Sequence, residues 1–197
     1  FTVSTDKKAL RLKLGLNADK FTVLLAEGGY GIGKMTKICK EILQRDLNVT
    51  LIPVCGKNKE LFNEMSKWES GKNCEFRPLG FADNLPEYLS ASDLFCGKSG
   101  ANVLLEACFF GVPQIVTNNA THIEKMNCKY YVKDIKTALK IFSADKVADK
   151  IEEFANYPER LTPFKAAAQA QRENYGAEKA ANLTFELLCT RFPELKN

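Results

Sequence analysis

Residues 94–117 read LFCGKSGANVLLEACFFGVPQIVT, a pattern typical of a strand, a helix and a second strand. Residues 94–96 form a short apolar run, and residues 101–110 have the length and apolar spacing of a helix. The segment GVP at residues 111–113 marks the helix end, because glycine often follows a helix and proline cannot continue one. Residues 114–117 form another apolar run, after which a polar loop is expected. Strands joined through a helix pair in parallel, so this stretch predicts a strand–helix–strand unit of a parallel sheet.

The same alternation precedes this unit. Three apolar or β-branched runs are each followed by a helical pattern: residues 21–26 and 34–45, residues 49–54 and 58–68, and residues 74–78 and 85–91. After residues 130–132 the periodicity is only helical, at residues 134–142, 144–156, 158–173 and 177–191. This order predicts a Rossmann-like, doubly wound α/β fold, in which helices cover both faces of a parallel sheet. The helical C-terminal segment is expected to complete one of those layers.

The composition indicates one domain. A chain of 197 residues, 45% of them hydrophobic, is long enough for one substantial core. The net charge is +4, and the 28 basic and 24 acidic residues are interspersed, so the sequence does not predict a nucleic-acid partner. No apolar run approaches the ~20 residues of a membrane-spanning helix. The chain starts at Phe1 without an initiator methionine, and we therefore expect an N-terminal domain of a longer parent protein to be absent from it.

The seven cysteines are scattered singly, several of them inside apolar runs. This distribution is typical of free, buried thiols in a reducing cytoplasm, and it predicts a cytoplasmic protein. No pair of cysteines has the spacing of a structural zinc site, and His122 is the only histidine. The loops after the predicted strands also lack a cluster of acidic residues, so we expect no metal ion and no cofactor.

Three segments carry the candidate chemistry. The first is the glycine-rich run AEGGYGIGKM at residues 26–35, between a predicted strand and a predicted helix. Glycines allow a tight turn, and the start of a helix offers free amides to a phosphate, so the run suits a diphosphate. Residues 28–34 also fit part of a nucleotide-triphosphatase loop, but Met35 stands where Ser or Thr must bind magnesium. A purely structural turn is the other alternative.

The second segment, residues 80–93, follows the end of a predicted strand, where open α/β sheets bind their ligands. Its backbone near Phe81 and Ala82 is placed to contact the edge of a nucleotide base. Asp83 or Asn84 also fits a simple helix cap, and the two interpretations are compatible.

The third segment is the small-residue loop and helix of the stretch quoted above. Its only carboxylate, Glu106, lies among apolar residues, where an unpaired charge is costly. At ~1.5 Å per residue, Glu106 lies one to two turns beyond the helix start. That is about the distance from the phosphates of a nucleotide to its ribose hydroxyls, so the spacing predicts a nucleotide diphosphate with Glu106 at the ribose. A solvent-facing Glu106 is the alternative.

Taken in order, these segments resemble the C-terminal domain of family 28 glycosyltransferases, which include monogalactosyldiacylglycerol synthase and the peptidoglycan-precursor N-acetylglucosaminyltransferase. The resemblance runs from about Lys8 to Val132. It rests on a basic first helix ending in LGL, on the glycine loop, and on residues 54–58 (VCGKN), 80–81 (GF), 98–100 (KSG), 106–107 (EA), 111–113 (GVP), Glu124 and Asn127. The VCGKN segment and the Lys98 loop are most similar to enzymes that glycosylate diacylglycerol.

The resemblance implies the C-terminal lobe of the two-domain GT-B architecture, which binds a UDP-sugar donor in that family. The residues that it assigns to the donor are Gly29, Tyr30 and Gly31 at the diphosphate, Phe81 and Ala82 at the uracil, Ser99, Gly100, Asn102 and Val103 near the phosphates, Glu106 at the ribose, and Glu124 and Asn127 at the sugar. No catalytic residue is expected in this lobe, because the base belongs to the N-terminal domain of the relatives.

The predicted function is therefore the donor-binding half of a UDP-sugar-dependent hexosyltransferase. By resemblance, the parent transfers a hexose with inversion to an acceptor hydroxyl, such as that of diacylglycerol, and lies in the cytoplasm or peripherally on the inner face of a membrane. Two alternatives stay open: a UDP-sugar 2-epimerase, which shares the two-lobe architecture, and a non-catalytic nucleotide-binding lobe that acts with a partner chain. The chain alone is expected to bind the donor without turning it over.

Overall fold

The apolar and β-branched runs of the sequence form a parallel sheet. The computed structural model describes residues 6–29, 33–172 and 176–196. Within these ranges the strands are β1 Phe21–Ala26, β2 Val49–Val54, β3 Glu75–Phe76, β4 Leu94–Lys98, β5 Gln114–Asn118 and β6 Ala138–Lys140. Their order across the sheet is β3-β2-β1-β4-β5-β6. The strands are added outward from β1 to β3, and the chain then returns to place β4 on the other side of β1.

Helices pack on both faces of this sheet. They are α1 Lys7–Lys13, α2 Met35–Gln44, α3 Lys59–Met65, α4 Leu85–Ala91, α5 Ala101–Phe109, α6 His122–Lys129, α7 Ala144–Asn156, α8 Thr162–Arg172 and α9 Ala177–Arg191. Side chains of β1 alternate between two buried clusters: Val23 and Leu25 pack with α2 and α7, whereas Leu24 and Ala26 pack with α5 and α8. This alternation confirms the doubly wound α/β prediction. Among the described helices, none combines the length and the apolar character needed to cross a bilayer.

The cysteines are free and buried, as the sequence predicts. Burial raises the pKa of the Cys55 and Cys74 thiols to about 11. These side chains are therefore protonated at neutral pH and act as small apolar groups of the core.

Two predictions around the last strand are wrong. Residues 134–142 are not a helix, because Lys136 adopts φ +57, which interrupts a right-handed helix, and the chain then pairs with β5 as β6. The residues after β5 are not simply a polar loop, since Thr121 and Glu124 form a capping box that starts α6. Helix α6 continues into a π-helical turn, Tyr130–Asp134.

All the segments with candidate chemistry follow the carboxyl ends of strands. The glycine loop follows β1, Cys55 and Gly56 follow β2, and the loop before α5 follows β4. Because β1 pairs in parallel with both β2 and β4, these strand ends meet at one edge of the sheet.

Candidate functional site

A hollow of about 260 Å³ lies at this edge, between the ends of β1, β2 and β4. Half of its lining was predicted from the sequence: Gly29, Phe81, Ala82, Asn102, Val103 and Glu106. The other half consists of Ala26, Gly28, Val54, Gly56, Leu85 and Lys98. The glycine loop, the segment at residues 80–93 and the helix that carries Glu106 therefore line one cavity.

Gly56 fits the end of β2 closely against the glycine loop. Its φ of +60 lies in the left-handed region, and a Cβ at this position would overlap the backbone of Gly29. The next residue, Lys57, donates its backbone N–H to the Gly29 carbonyl over 2.7 Å. These contacts hold the first part of the glycine loop at a defined place on the wall of the hollow.

Glu106 is half-buried on the inner side of α5. Burial raises the pKa of its carboxyl above the ordinary value, and no described residue offsets this with a hydrogen bond or an opposite charge. The carboxylate is thus an acceptor that the described part of the chain leaves open toward the hollow. The solvent-facing alternative is not what the structure shows, because the residue lines the cavity.

The start of α5 supplies further hydrogen-bond donors to the hollow. Gly100 is the N-cap, and no described side chain caps the free amides of the first turn. Asn102 and Val103, in this first turn, line the cavity. The uncapped amides and the partial positive charge of the helix start favour an anion here.

Lys98 adds a full positive charge to the same wall. It ends β4, and its side chain lies so close to Gly28 that a Cβ on that glycine would come within 2.6 Å of the lysine Cε. Its Nζ lies 3.1 Å from Oε1 of Glu124. Burial alone would raise the pKa of the Glu124 carboxyl, but hydrogen bonds from the Thr121 amide and from Lys98 lower it below its ordinary value.

Four predicted residues lie outside the lining of the hollow, and three of them, Ser99, Glu124 and Asn127, connect α6 to the end of β4 and the segment before α5. Ser99 is buried, and its hydroxyl donates to the Glu124 carbonyl over 2.7 Å. Asn127 donates its side-chain amide to the Ser99 carbonyl over 3.1 Å. Glu124 caps α6 and pairs with Lys98, and Gly100 is the N-cap of α5. Their direct contacts with phosphate or sugar stay predictions, and Tyr30 and Gly31 lie outside the described residues.

The family model for the glycosyltransferase family 28 C-terminal domain matches residues 32–181. The chain belongs to this family. Over 165 residues it is 27% identical to the processive diacylglycerol β-glucosyltransferase of Bacillus pumilus, which covers 84% of this chain and 43% of the relative. The chain thus spans less than half the length of that relative.

Solved structures of glycosyltransferases share the fold of this family 28 domain. HepE from Anabaena, in complex with UDP, superposes with a TM-score of 0.67 at 18% identity, over 96% of this chain and 54% of HepE. The C-terminal CMP-Kdo binding domain of WaaA from Acinetobacter baumannii superposes with a TM-score of 0.62 at 17% identity, over 83% of this chain and 94% of that domain. The Rossmann-like lobe expected for the GT-B architecture is therefore confirmed.

Three residues of the family 28 domain were missed by sequence reasoning. Lys98 is the last residue of a mainly apolar strand, a position that could have identified it. Lys57 lies with its Nζ 5.6 Å from the ring centroid of Phe81, which is 61% exposed at the rim of the hollow. This contact joins distant segments and has no local sequence signal.

The third missed residue, Glu27, is buried at the end of β1. Its Oε1 accepts a hydrogen bond of 2.5 Å from the Thr117 hydroxyl, and a Cβ on Gly33 would overlap its carboxylate. Burial raises the pKa of the Glu27 carboxyl, while the Thr117 hydrogen bond and the charge of Lys34 oppose the shift. The Glu27 side chain therefore packs against Gly33, at the end of the glycine loop nearest to α2.

Proposed function

We propose that this family 28 domain binds the UDP-sugar donor of a hexosyltransferase. The observation that carries the proposal is that Glu106 and the glycine loop line one hollow at the carboxyl edge of the sheet. Two comparisons support it: a curated relative is named as a diacylglycerol glucosyltransferase, and the structure of HepE contains UDP.

The diphosphate is placed between the glycine loop and the start of α5. Lys98 and the uncapped amides of α5 supply positive charge there, and both lie at the wall of the hollow. The same groups stabilise the negative charge that develops on the departing UDP when the sugar is transferred. The proposed stabilisation uses these groups and no metal ion.

The nucleoside extends from the diphosphate along α5. Glu106, one to two turns from the helix start, accepts hydrogen bonds from the ribose hydroxyls. The base lies against Phe81 and Ala82, with Val54 and Leu85 as apolar neighbours. Such a division into an apolar wall with a few polar anchors is common in ligand pockets.

The acceptor and the catalytic base belong, in this proposal, to an N-terminal domain of the parent protein. Inverting transfer requires a base within hydrogen-bond reach of the acceptor hydroxyl, whereas Glu106, the carboxylate of the hollow, is assigned to the ribose. The proposed acceptor is a lipid such as diacylglycerol, because the curated relative carries that substrate in its name. The proposed location of the parent is the cytoplasmic surface of a membrane.

Calorimetric titration of the 197-residue chain tests donor binding. We expect UDP to bind more tightly than ADP, GDP or UMP. Lys98→Met should weaken UDP binding about 10-fold or more, which is the scale of a hydrogen bond to a charged group, and should weaken UMP binding less. Lys146→Met removes an equal charge from the exposed side of α7 and should change neither affinity.

Three results of the titration would contradict the proposal or its parts. A preference for ADP or GDP would point to another donor class, and the absence of binding by all four nucleotides would favour a non-catalytic lobe. If Lys98→Met lowers the affinity for UDP and for UMP equally, the assignment of Lys98 to the diphosphate is wrong. The transfer step is tested on the full-length parent with UDP-glucose, UDP-galactose and diacylglycerol, and epimerised UDP-sugar as the product would favour the 2-epimerase.

A further inference from the structure

Glu27 is a buried acid to which the proposed function assigns no role. It follows the last residue of β1, and only 2% of its surface is exposed. Its Oε1 accepts the hydrogen bond from the Thr117 hydroxyl of β5, but no described residue donates a hydrogen bond of ordinary geometry to its Oε2. Burying a carboxylate with one oxygen unpaired is costly, so this environment favours the neutral acid.

The Glu27 carboxyl lies next to the loop that is assigned to the diphosphate. Its neighbours in the chain, Ala26 and Gly28, both line the hollow. The carboxyl itself contacts the other end of the glycine loop, since a Cβ on Gly33 would overlap its Oε2. Because Glu27 is buried, water screens its charge only weakly. A charge on this carboxyl therefore acts on any anion that the glycine loop binds.

The ionisable side chains that face Glu27 within the described part of the chain are Lys34 at the start of α2, and Cys96 and Lys98 of β4. Burial raises the pKa of the Cys96 thiol, which is therefore uncharged at neutral pH. The Lys34 ammonium donates to a backbone carbonyl of the loop before α7 over 2.7 Å, and the Lys98 ammonium lies 3.1 Å from Glu124. Both lysines favour the charged form of Glu27 from a distance, but their ammonium groups are directed to other partners.

We propose that Glu27 is a further residue of the donor site, which takes up a proton from solvent when the diphosphate of UDP binds. This inference rests on the proposed function. The diphosphate brings negative charge to the glycine loop, and a nearby like charge stabilises the neutral form of an acid. Burial already raises the pKa of the Glu27 carboxyl in the unliganded chain. The proton binds Oε2, the oxygen that lacks a described partner.

Proton uptake makes the affinity for UDP depend on pH. At a pH below the pKa of Glu27 in the free chain, the acid is neutral in both states and the affinity is highest; the affinity falls as the pH rises through the pKa of the bound state. One phosphate charge about 10 Å away, at an effective dielectric constant of about 20, raises the pKa of a carboxyl by about one pH unit. We therefore expect about 10-fold weaker UDP binding when Glu27 is ionised, and an uptake of up to about 0.5 proton per UDP.

Calorimetric titration with UDP in buffers of different ionisation enthalpy measures the number of protons taken up. Between about pH 5 and 9, the unmodified chain should take up as much as about 0.5 proton more than Glu27→Gln. The terminal phosphate of UDP titrates near pH ~6, and this contribution is common to both chains. The affinity of Glu27→Gln for UDP, relative to that of the unmodified chain, should rise from about 1 to about 10 over this range. Thr117→Val removes a hydrogen bond that favours the ionised carboxyl, so the maximum of proton uptake should move to higher pH.

Glu75→Gln is the matched control and should take up protons as the unmodified chain does. Glu75 also accepts a hydrogen bond from a threonine of a neighbouring strand, Thr50, over 2.9 Å, but it lies at the start of β3 and outside the hollow. Equal proton numbers in the unmodified chain and Glu27→Gln at every pH would overturn the proposal, as would an unshifted maximum in Thr117→Val. Both results leave UDP binding intact. If the unmodified chain does not bind UDP, the proposed function itself fails, so the two failures are distinguishable.

Discussion

Glu106→Ala separates the contribution of one carboxylate to ligand binding from its contribution to folding. Its side chain has no hydrogen bond or ion pair with any described residue, so the substitution breaks no such contact. Burial raises the pKa of Glu106, which means that folding makes its charged form less stable than in water. We therefore expect the melting temperature of the unliganded chain to stay constant or rise slightly.

The loss of UDP affinity follows from the hydrogen bonds that the carboxylate accepts from the ribose. A hydrogen bond to a charged group contributes about 1.5–3 kcal/mol, which corresponds to a Kd about 10- to 150-fold weaker after its removal. Glu106→Gln keeps the shape and one acceptor but loses the charge, so its affinity should lie between those of the unmodified chain and Glu106→Ala.

Calorimetry with UDP and with 2′,3′-dideoxy-UDP measures this contribution directly. The dideoxy analogue should bind the unmodified chain and Glu106→Ala equally, because it lacks the hydroxyls that the carboxylate accepts. Glu152→Ala, which removes an exposed carboxylate from α7, is the control for the change in net charge. Unchanged UDP affinity in Glu106→Ala, together with a melting temperature several degrees lower, would refute the ribose assignment and indicate a structural acid.

Two further predictions concern the glycine loop. Gly56→Ala should destabilise folding by about 1–3 kcal/mol and weaken UDP, because it combines a positive φ with overlap of Gly29. Gly15→Ala has a similar φ of +69 but open space around it, so denaturation should show a smaller loss and calorimetry no change in UDP affinity; equal effects of the two would contradict the overlap. For Glu27, the raised pKa means that the unfolded chain ionises first, so the free energy of unfolding falls as pH rises above the ordinary value of 4.5. Glu27→Gln should remove this decline in urea denaturation between about pH 4 and 8, and an unchanged slope would assign it to other groups.

The sheet was largely predictable because its inner strands are almost entirely buried. Every residue of β2 is buried, and such a strand must be apolar or β-branched along its whole length. The hollow was predictable for a related reason, since loops at the carboxyl ends of parallel strands converge whatever their sequence. The position of Glu106 followed from helix geometry alone.

The last strand could not be predicted in the same way because it has little apolar character to reveal it. Strand β6 has three residues, of which Ala138 is buried and Lys140 is exposed, and it pairs only with β5. Lys136 and Lys140 separate the apolar residues of this segment at intervals that also fit a helix. Only the left-handed backbone at Lys136 excludes the helix, and no property of a lysine indicates that conformation.

Ser99, Glu124 and Asn127 are polar residues near the site whose side chains form structural contacts within the protein. The sequence places them beside the phosphates and the sugar. In the structure the Ser99 and Asn127 side chains form hydrogen bonds between α6 and the segment before α5, and the Glu124 side chain caps α6 and pairs with Lys98. The T-x-x-E spacing from Thr121 was the available signal, since it predicts a capped helix. If these hydrogen bonds have the structural role described here, Asn127→Ala should lower the melting temperature and weaken UDP binding in calorimetry, whereas Lys125→Gln on the exposed side of the same helix should change neither.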